Sequence, residues 1–405
     1  MSGRVARGSG GLPDLVVVGA GTMGAWTAFW ANRAGLRTTL VDAWGAGHPR
    51  ATSGDETRII RSSYGDDVLY ARWSRAALAH WRHFGEEWGE PLFRPVGTLW
   101  LGHRSDGFEA ASLATLRSEG IPVEHVAVDE ARARWPQVAF EDDAYVLFEP
   151  EAGALMARQG TAAAARAFER EGGAFELSPA RPGQAKDGRL LDVVLGDGRR
   201  LSAGSFVFAA GPWLPRVFPD VLGELIRVTK QDVFFFGPAG GDASFGSDRL
   251  PTWVDYDAAF YGVPAIDGRG AKLAPDRYGP VFDPSAGERI VDPDSTRLAR
   301  AYAARRFPAL AAQPIVETRV CQYEMTPDAH FILDRHPGLA NAWIAGGGSG
   351  HAFKHGPRIG EYLVGRLQGA PVGPGEERFG LGTTRVDDAT LRTGADAMVS
   401  GWQGY

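Results

Sequence analysis

Hydrophobic positions fall in short blocks along this chain. Residues 14–19, DLVVVG, are an almost unbroken apolar run, which predicts a short buried strand. TMGAWTAFWANRAG follows with helical character and a stop at Gly35, and RTTLVDA predicts a second strand. Together these predict a βαβ opening. TAAAARAFEREGG predicts a helix broken at Gly172 and Gly173. RLLDVVLGDGRRLSAGSFVFAAG predicts a hairpin turning at Asp197-Gly198, then an apolar strand. From about 225 to 320 the pattern changes: aromatic, Gly and Pro residues mix with short alternating runs such as TKQDVFFFG, which predicts a mostly β lobe. STRLARAYAARRF predicts a helix within it. NAWIAGGGSGHAFKHGPRIGEYLVGRL then predicts strand, glycine loop and helix.

Length and composition narrow the class. At 405 residues two domains, or one large α/β unit with a second lobe, are expected. With a formal charge of −6, nucleic acid and anionic membrane are poor partners. One cysteine cannot form an internal disulfide, so a reducing compartment is the simpler reading. MSGRVARGSGGL lacks the apolar core of a signal peptide, and no run has transmembrane length. A cytoplasmic location follows as the expectation. No cluster has metal-ligand spacing, so no metal is expected, and no G-x-S-x-G nucleophile motif is present.

The sharpest local signal is VVVGAGTMG, with Gly19, Gly21 and Gly24 in G-x-G-x-x-G spacing between a predicted strand and helix. Such glycines permit a tight turn, close approach of a pyrophosphate and helix–strand packing, with the phosphates at the helix N-terminus. Asp42 ends the next strand, where a carboxylate accepts bonds from a ribose. The motif alone does not separate NAD from FAD. Two further glycine features, FVFAAGPW (206–213) and 346–350, suit an elongated FAD.

Several longer stretches extend the pattern: GDETRIIRSSYG (54–65), GTLWLG (97–102), FEPEAGALM (148–156), YGVPAIDGRGAK (261–272), CQYEMTPDAHFILD (321–334) and GGGSGHAFKHG (347–356). On these the chain resembles the monomeric sarcosine oxidase and N-methyltryptophan oxidase family, within the D-amino-acid-oxidase-like flavin enzymes. The resemblance spans most of residues 14–370. It implies an α/β protein in which a Rossmann-like FAD-binding domain is interleaved with an α+β substrate domain on a mixed sheet. The expected division is 13–90, 150–222 and 321–385 for the FAD domain, 91–149 and 223–320 for the substrate domain, and tails at 1–12 and 386–405.

The resemblance also implies roles. Cys321 would carry FAD through a thioether to the flavin 8-methyl; the alternative is a buried, inert thiol. Glu324 stands in that run where threonine is more usual. Arg58 would sit against the flavin ring and Arg61 would bind a substrate carboxylate bidentately. If their segment were helical, a spacing of three would put both on one face; the alternative is a solvated basic pair. Lys354 would be the second carboxylate ligand. Lys272 would face the flavin and activate O2 as a fixed cation, the alternative being a structural salt bridge. Tyr261 and Tyr323 would line the substrate cavity. Asp276 replaces the histidine that sarcosine-type enzymes carry, which puts sarcosine itself in doubt; it would pair with a cationic amine or be an exposed turn residue. Gly347, Gly348, Gly350 and His351 would approach the flavin's pyrimidine end, though His351 reads equally well as structural. The implied function is an FAD-dependent oxidase of an N-methyl, secondary or cyclic amino acid, giving an imine and, with O2, hydrogen peroxide. A monomer acting on small amines is the expected form. The alternative is a flavin-dependent dehydrogenase serving a non-O2 acceptor in a biosynthetic pathway.

Overall fold

The computed structural model describes residues 12–103 and 105–383. The expected tail at 386–405, and 1–11 of the other, lie outside these. The apolar run near the N-terminus is the strand Leu15–Val18, in the middle of a six-stranded sheet. Its neighbours Thr38–Asp42 and Ser205–Phe208 run parallel to it, as do Ala174–Leu177 and Ala342–Gly346 further out. Only Ile332–Arg335, at one edge, is antiparallel. Leu15 and Val17 pack into one apolar cluster, and Val16 and Val18 into another on the opposite face. A strand buried on both faces needs a continuous apolar run rather than alternation, which is why DLVVVG has one.

Helix Thr22–Arg33 packs on this sheet between helices Ala157–Arg170 and Gly356–Leu367. Its Trp26 meets Trp81, Phe84 and Trp88 of the long helix Val68–Trp88, with ring centroids 5.2–5.5 Å apart. Asp67 caps that helix by accepting from Tyr70 N–H, and Gly89 ends it at φ +66°.

The β lobe is an eight-stranded sheet. Its order is Ile315–Met325, Arg227–Phe236, Ala271–Pro275, Phe260–Val263, Thr252–Asp255, Thr98–Gly102, Tyr145–Glu149 and Glu124–Val126. All pairs are antiparallel except Thr252–Asp255 with Thr98–Gly102. The strand period of two sorts its side chains. Phe234, Phe236, Leu273 and Phe260 pack under helix Pro293–Arg306, where Tyr302 stacks on Phe260 at 4.0 Å. The other parity, Val233, Phe235, Ala274 and Cys321, packs together on the opposite face with Tyr261 against it.

Register carries this sorting to polar residues. Phe235 is opposite Lys272, Gln231 opposite Cys321, Thr229 opposite Tyr323, and Tyr261 opposite Ala274. Paired residues share a face, so Lys272, Tyr261, Cys321 and Tyr323 lie on one side of the sheet. Ile315–Met325 belongs to this sheet along its whole length, so the expected domain boundary at 321 falls inside a strand. No described helix is long and apolar enough to cross a membrane.

Candidate active site

Strand Leu15–Val18 ends where the glycine motif begins. Gly19 has φ +104°, and a Cβ there would lie 2.3 Å from Ala209 O; a Cβ on Gly24 would lie 1.8 Å from Gly19 O. Both contacts force the first turn of helix Thr22–Arg33 close to the sheet, which only glycine allows. A cavity of about 500 Å3 opens above this turn. Gly19, Gly21, Asp42, Arg58, Tyr323, Gly348 and Gly350 line it. Asp42 accepts from Ala20 N–H at 2.7 Å and from Trp44 and Gly45 N–H at 2.8 Å. Its carboxylate therefore also ties the glycine turn to the next loop.

At the end marked by Arg58 and Tyr323 the cavity meets the polar face of the eight-stranded sheet. Arg58 donates to Cys321 Sγ at 3.2 Å, to Thr52 O and Thr57 O at 2.9 Å, and to Asp55. Lys272 lies behind it, donating to the same Asp55 oxygen and to Thr57 O at 2.9 Å, with its ammonium 5.5 Å from the Tyr261 ring centre. Burial alone would raise the Asp55 carboxyl, but Lys272 and Arg58 hold it well below the usual range. Burial lowers the Lys272 ammonium below its ordinary value, with Asp55 opposing. Burial raises the Tyr261 hydroxyl well above its ordinary value. Tyr323 donates to Asp276 at 3.2 Å, so Asp276 joins the same face.

Arg61 goes elsewhere. Arg58 lies in the strand Thr57–Ile60 and Arg61 just beyond its end, not on a helix, so a spacing of three does not put them on one face and Arg58 and Arg61 part company. Arg61 donates to Ser63 O and lies 4.0 Å from the Tyr64 ring centre and 5.2 Å from that of Trp100. Lys354 comes to the same tyrosine, 5.1 Å from the ring centre, and donates to His351 O at 2.9 Å. The two cations are thus brought together around Tyr64, although 293 positions separate them in the chain. The Tyr64 hydroxyl meets His351 Nδ1 at 3.1 Å and His355 Nε2 at 2.8 Å. His351 Nε2 faces Ala329 O at 2.9 Å, so both its ring nitrogens are engaged inside the protein. Burial, then Lys354 and Arg61, push His355 well below its ordinary value, which keeps it neutral.

A family model described as FAD dependent oxidoreductase matches residues 14–366. The chain belongs to this family. Monomeric sarcosine oxidase of Bacillus sp. (strain B-0618) is 27% identical over 364 residues, covering 86% of this chain and 90% of that one. N-methyl-L-tryptophan oxidase of Salmonella arizonae is 27% identical over 352 residues, covering 86% and 92%. The solved L-proline dehydrogenase from P. horikoshii superposes with a TM-score of 0.80 at 19% identity, covering 91% of this chain and 97% of that one.

The residues present fit the cofactor of an FAD-dependent oxidoreductase. A Cβ on Gly21 would meet only Ser53 Oγ, at 3.6 Å, so the loop leaves open space toward the cavity. Thr52 lines the cavity and its buried hydroxyl has no hydrogen-bond partner among the described residues. Gly348 and Gly350 also line the cavity, while Gly347 N–H donates to Glu324 at 3.2 Å. Sequence reasoning did not single out Asp55, Tyr64 or Thr52. Asp55 and Tyr64 lie within GDETRIIRSSYG, yet only the fold shows their partners, Lys272 and the two histidines.

Proposed function

We propose that this chain is an FAD-dependent oxidase of the C–N bond of a small amino acid, with the α-carboxylate held at Arg61 and Lys354. One observation carries the reading: strand register puts Lys272, Tyr261, Cys321 and Tyr323 on one face, beside Arg58 at the end of the dinucleotide cavity. FAD held here would supply the two-electron acceptor for oxidising an amine to an imine, with O2 as the final acceptor. The protein's part is positioning and charge. Arg61 offers a fork and Lys354 a point charge to one carboxylate. Tyr323 and Asp276 face the amine side, and Asp276 favours a substrate carrying a positive charge. Lys272 places a cation where oxygen gains negative charge. Cys321, 3.2 Å from the cavity-lining Arg58, is the covalent anchor in this reading.

The substrate class extends to N-methyl, secondary and cyclic amino acids, which the named relatives suggest without selecting among them. The test is anaerobic mixing with a panel of such amines. Bleaching of the flavin by amino acids but not by their decarboxylated analogues, with hydrogen peroxide formed on readmitting air, is the expected outcome. Absence of bleaching by every member would defeat it. Fast bleaching with slow peroxide formation would instead favour a dehydrogenase, a reading that the sharing of Lys272's charge with Asp55 keeps in view.

A further inference from the structure

Strand Ile315–Met325 lies at the edge of its sheet, and the cavity wraps around that edge. Tyr323 therefore reaches the cavity from one face and Glu324 from the other. Glu324 is 6% exposed and has an unusual position for a carboxyl. Its Oε2 accepts from Gly347 N–H at 3.2 Å, and Oε1 faces the Gly211 and Gly348 backbones, where added Cβ atoms would lie 3.7 and 3.4 Å away. Among the described residues it forms no ion pair. The elements packed against it carry Arg216 beyond the 211–213 turn, Arg227 beside the facing Val228, Tyr323 on its own strand, and His351 and Lys354 beyond the glycine loop. No charged group among these offsets the cost of burying the carboxylate: burial pushes the carboxyl up to about 7, opposed only by Gly347 N–H. The rest of the cavity wall contributes Asp42, His48, Arg58, Arg181 and Arg216.

A buried carboxyl without a cation is costly as an anion and cheap as a neutral acid. The same cavity begins at the glycine turn built to receive a pyrophosphate. Filling it removes remaining water from Glu324 and brings phosphate charge into the same enclosure, and both favour the protonated form. A neutral carboxyl then offers a donor as well as an acceptor to the cofactor.

We propose that Glu324 is a proton-linked cofactor ligand: the site binds FAD with this carboxyl neutral, and one solvent proton is taken up onto Glu324 as FAD binds. This rests on the FAD reading above. The sign follows from linkage. A group whose affinity for protons is higher in the complex strengthens binding at low pH and weakens it as pH rises past the free-state value. His48 lines the same cavity, but burial lowers it below the ordinary histidine value, so its response falls at more acidic pH.

The experiment uses full-length flavin-loaded protein carrying Cys321→Ala, so that FAD is not tethered. Release of FAD on dilution is followed by flavin fluorescence from pH 6 to 8.5. The Kd is expected to rise about fivefold between pH 7 and 8 and about thirtyfold across the whole range, as one group near 7 requires. In the added Glu324→Gln background the Kd should be nearly flat above pH 7. Independently of that variant's folding, infrared spectra of loaded protein with native Glu324 at pH 8 should show a protonated-carboxyl carbonyl band. A pH-independent Kd with native Glu324, an unchanged slope in Glu324→Gln, or no such band at pH 8 would each overturn the proposal. A chain that holds no FAD at any pH would instead overturn the cofactor reading beneath it.

Discussion

Asp55→Asn is the most informative structural perturbation. Asp55 is buried at 5% exposure and accepts from both Arg58 and Lys272, with Glu56 N–H at 2.8 Å as a further donor. Its amide replacement leaves two cations facing each other with no anion between them. Removing one partner from a buried ion pair costs about 3–5 kcal/mol, because the remaining charge stays desolvated. Lys272→Met alone should cost less, since Asp55 keeps Arg58. The double variant removes one of the two stranded cations and should recover at least about 1 kcal/mol of the Asp55→Asn loss, a coupling typical of residues in direct contact. Urea unfolding of the three variants and the parent, read by tryptophan fluorescence, gives the cycle. The pH dependence adds a second check. Asp55 has a folded-state value depressed below its unfolded one, so its contribution is present above about pH 4 and is lost as pH falls further. The parent's advantage over Asp55→Asn should therefore shrink below about pH 4. A cost under about 1 kcal/mol for Asp55→Asn, or a double variant no more stable than that single one, would refute the shared-anion reasoning.

Two further outcomes follow from the same geometry. Lys272→Met should leave anaerobic flavin reduction nearly normal and slow reoxidation by O2 severely, by stopped flow; equal loss in both half-reactions would remove the oxygen role. In the parent, the reoxidation rate should fall on the alkaline side at a pH below the ordinary lysine value, because burial lowers Lys272 and the cation is lost above that point. Arg61→Ala should raise KM about tenfold or more for amino acids while barely changing it for simple amines, since a charge-assisted bond of about 1.5–3 kcal/mol is lost only with a carboxylate. An unchanged preference would take Arg61 out of that role.

The elements that local pattern specifies were legible in the chain. The buried strand, the glycine turn, the helix stopped before Gly35 and the hairpin at Asp197-Gly198 all announce themselves through nearby residues. Helix Val68–Trp88 carries equally local signals, the Asp67 cap and Gly89, which the aromatic residues around it obscure. The placing of Arg58 and Arg61 on one helical face failed because TRII carries three β-branched residues, Thr57, Ile59 and Ile60, and pairs with Gly153–Met156. Helical spacing was the wrong period for it. Lys272 and Cys321 are 49 positions apart, and what puts them on one face is a register through Arg227–Phe236 that no short window contains. Asp55 was hidden for a related reason: its partner Lys272 is 217 positions away. Glu324 stood out only as a departure from a resemblance; its burial without a cation comes from its strand meeting the 211–213 turn and the glycine loop.

The most direct measurement is where the flavin goes when the purified protein is precipitated with acid. If Cys321 is the anchor, the face of the sheet that carries it meets the flavin at the Arg58 end of the cavity. The parent should then give a yellow pellet, and Cys321→Ala a colourless pellet with FAD in the supernatant. FAD released from the parent, or a colour that stays with the Cys321→Ala pellet, would contradict the placing of that face against the cofactor.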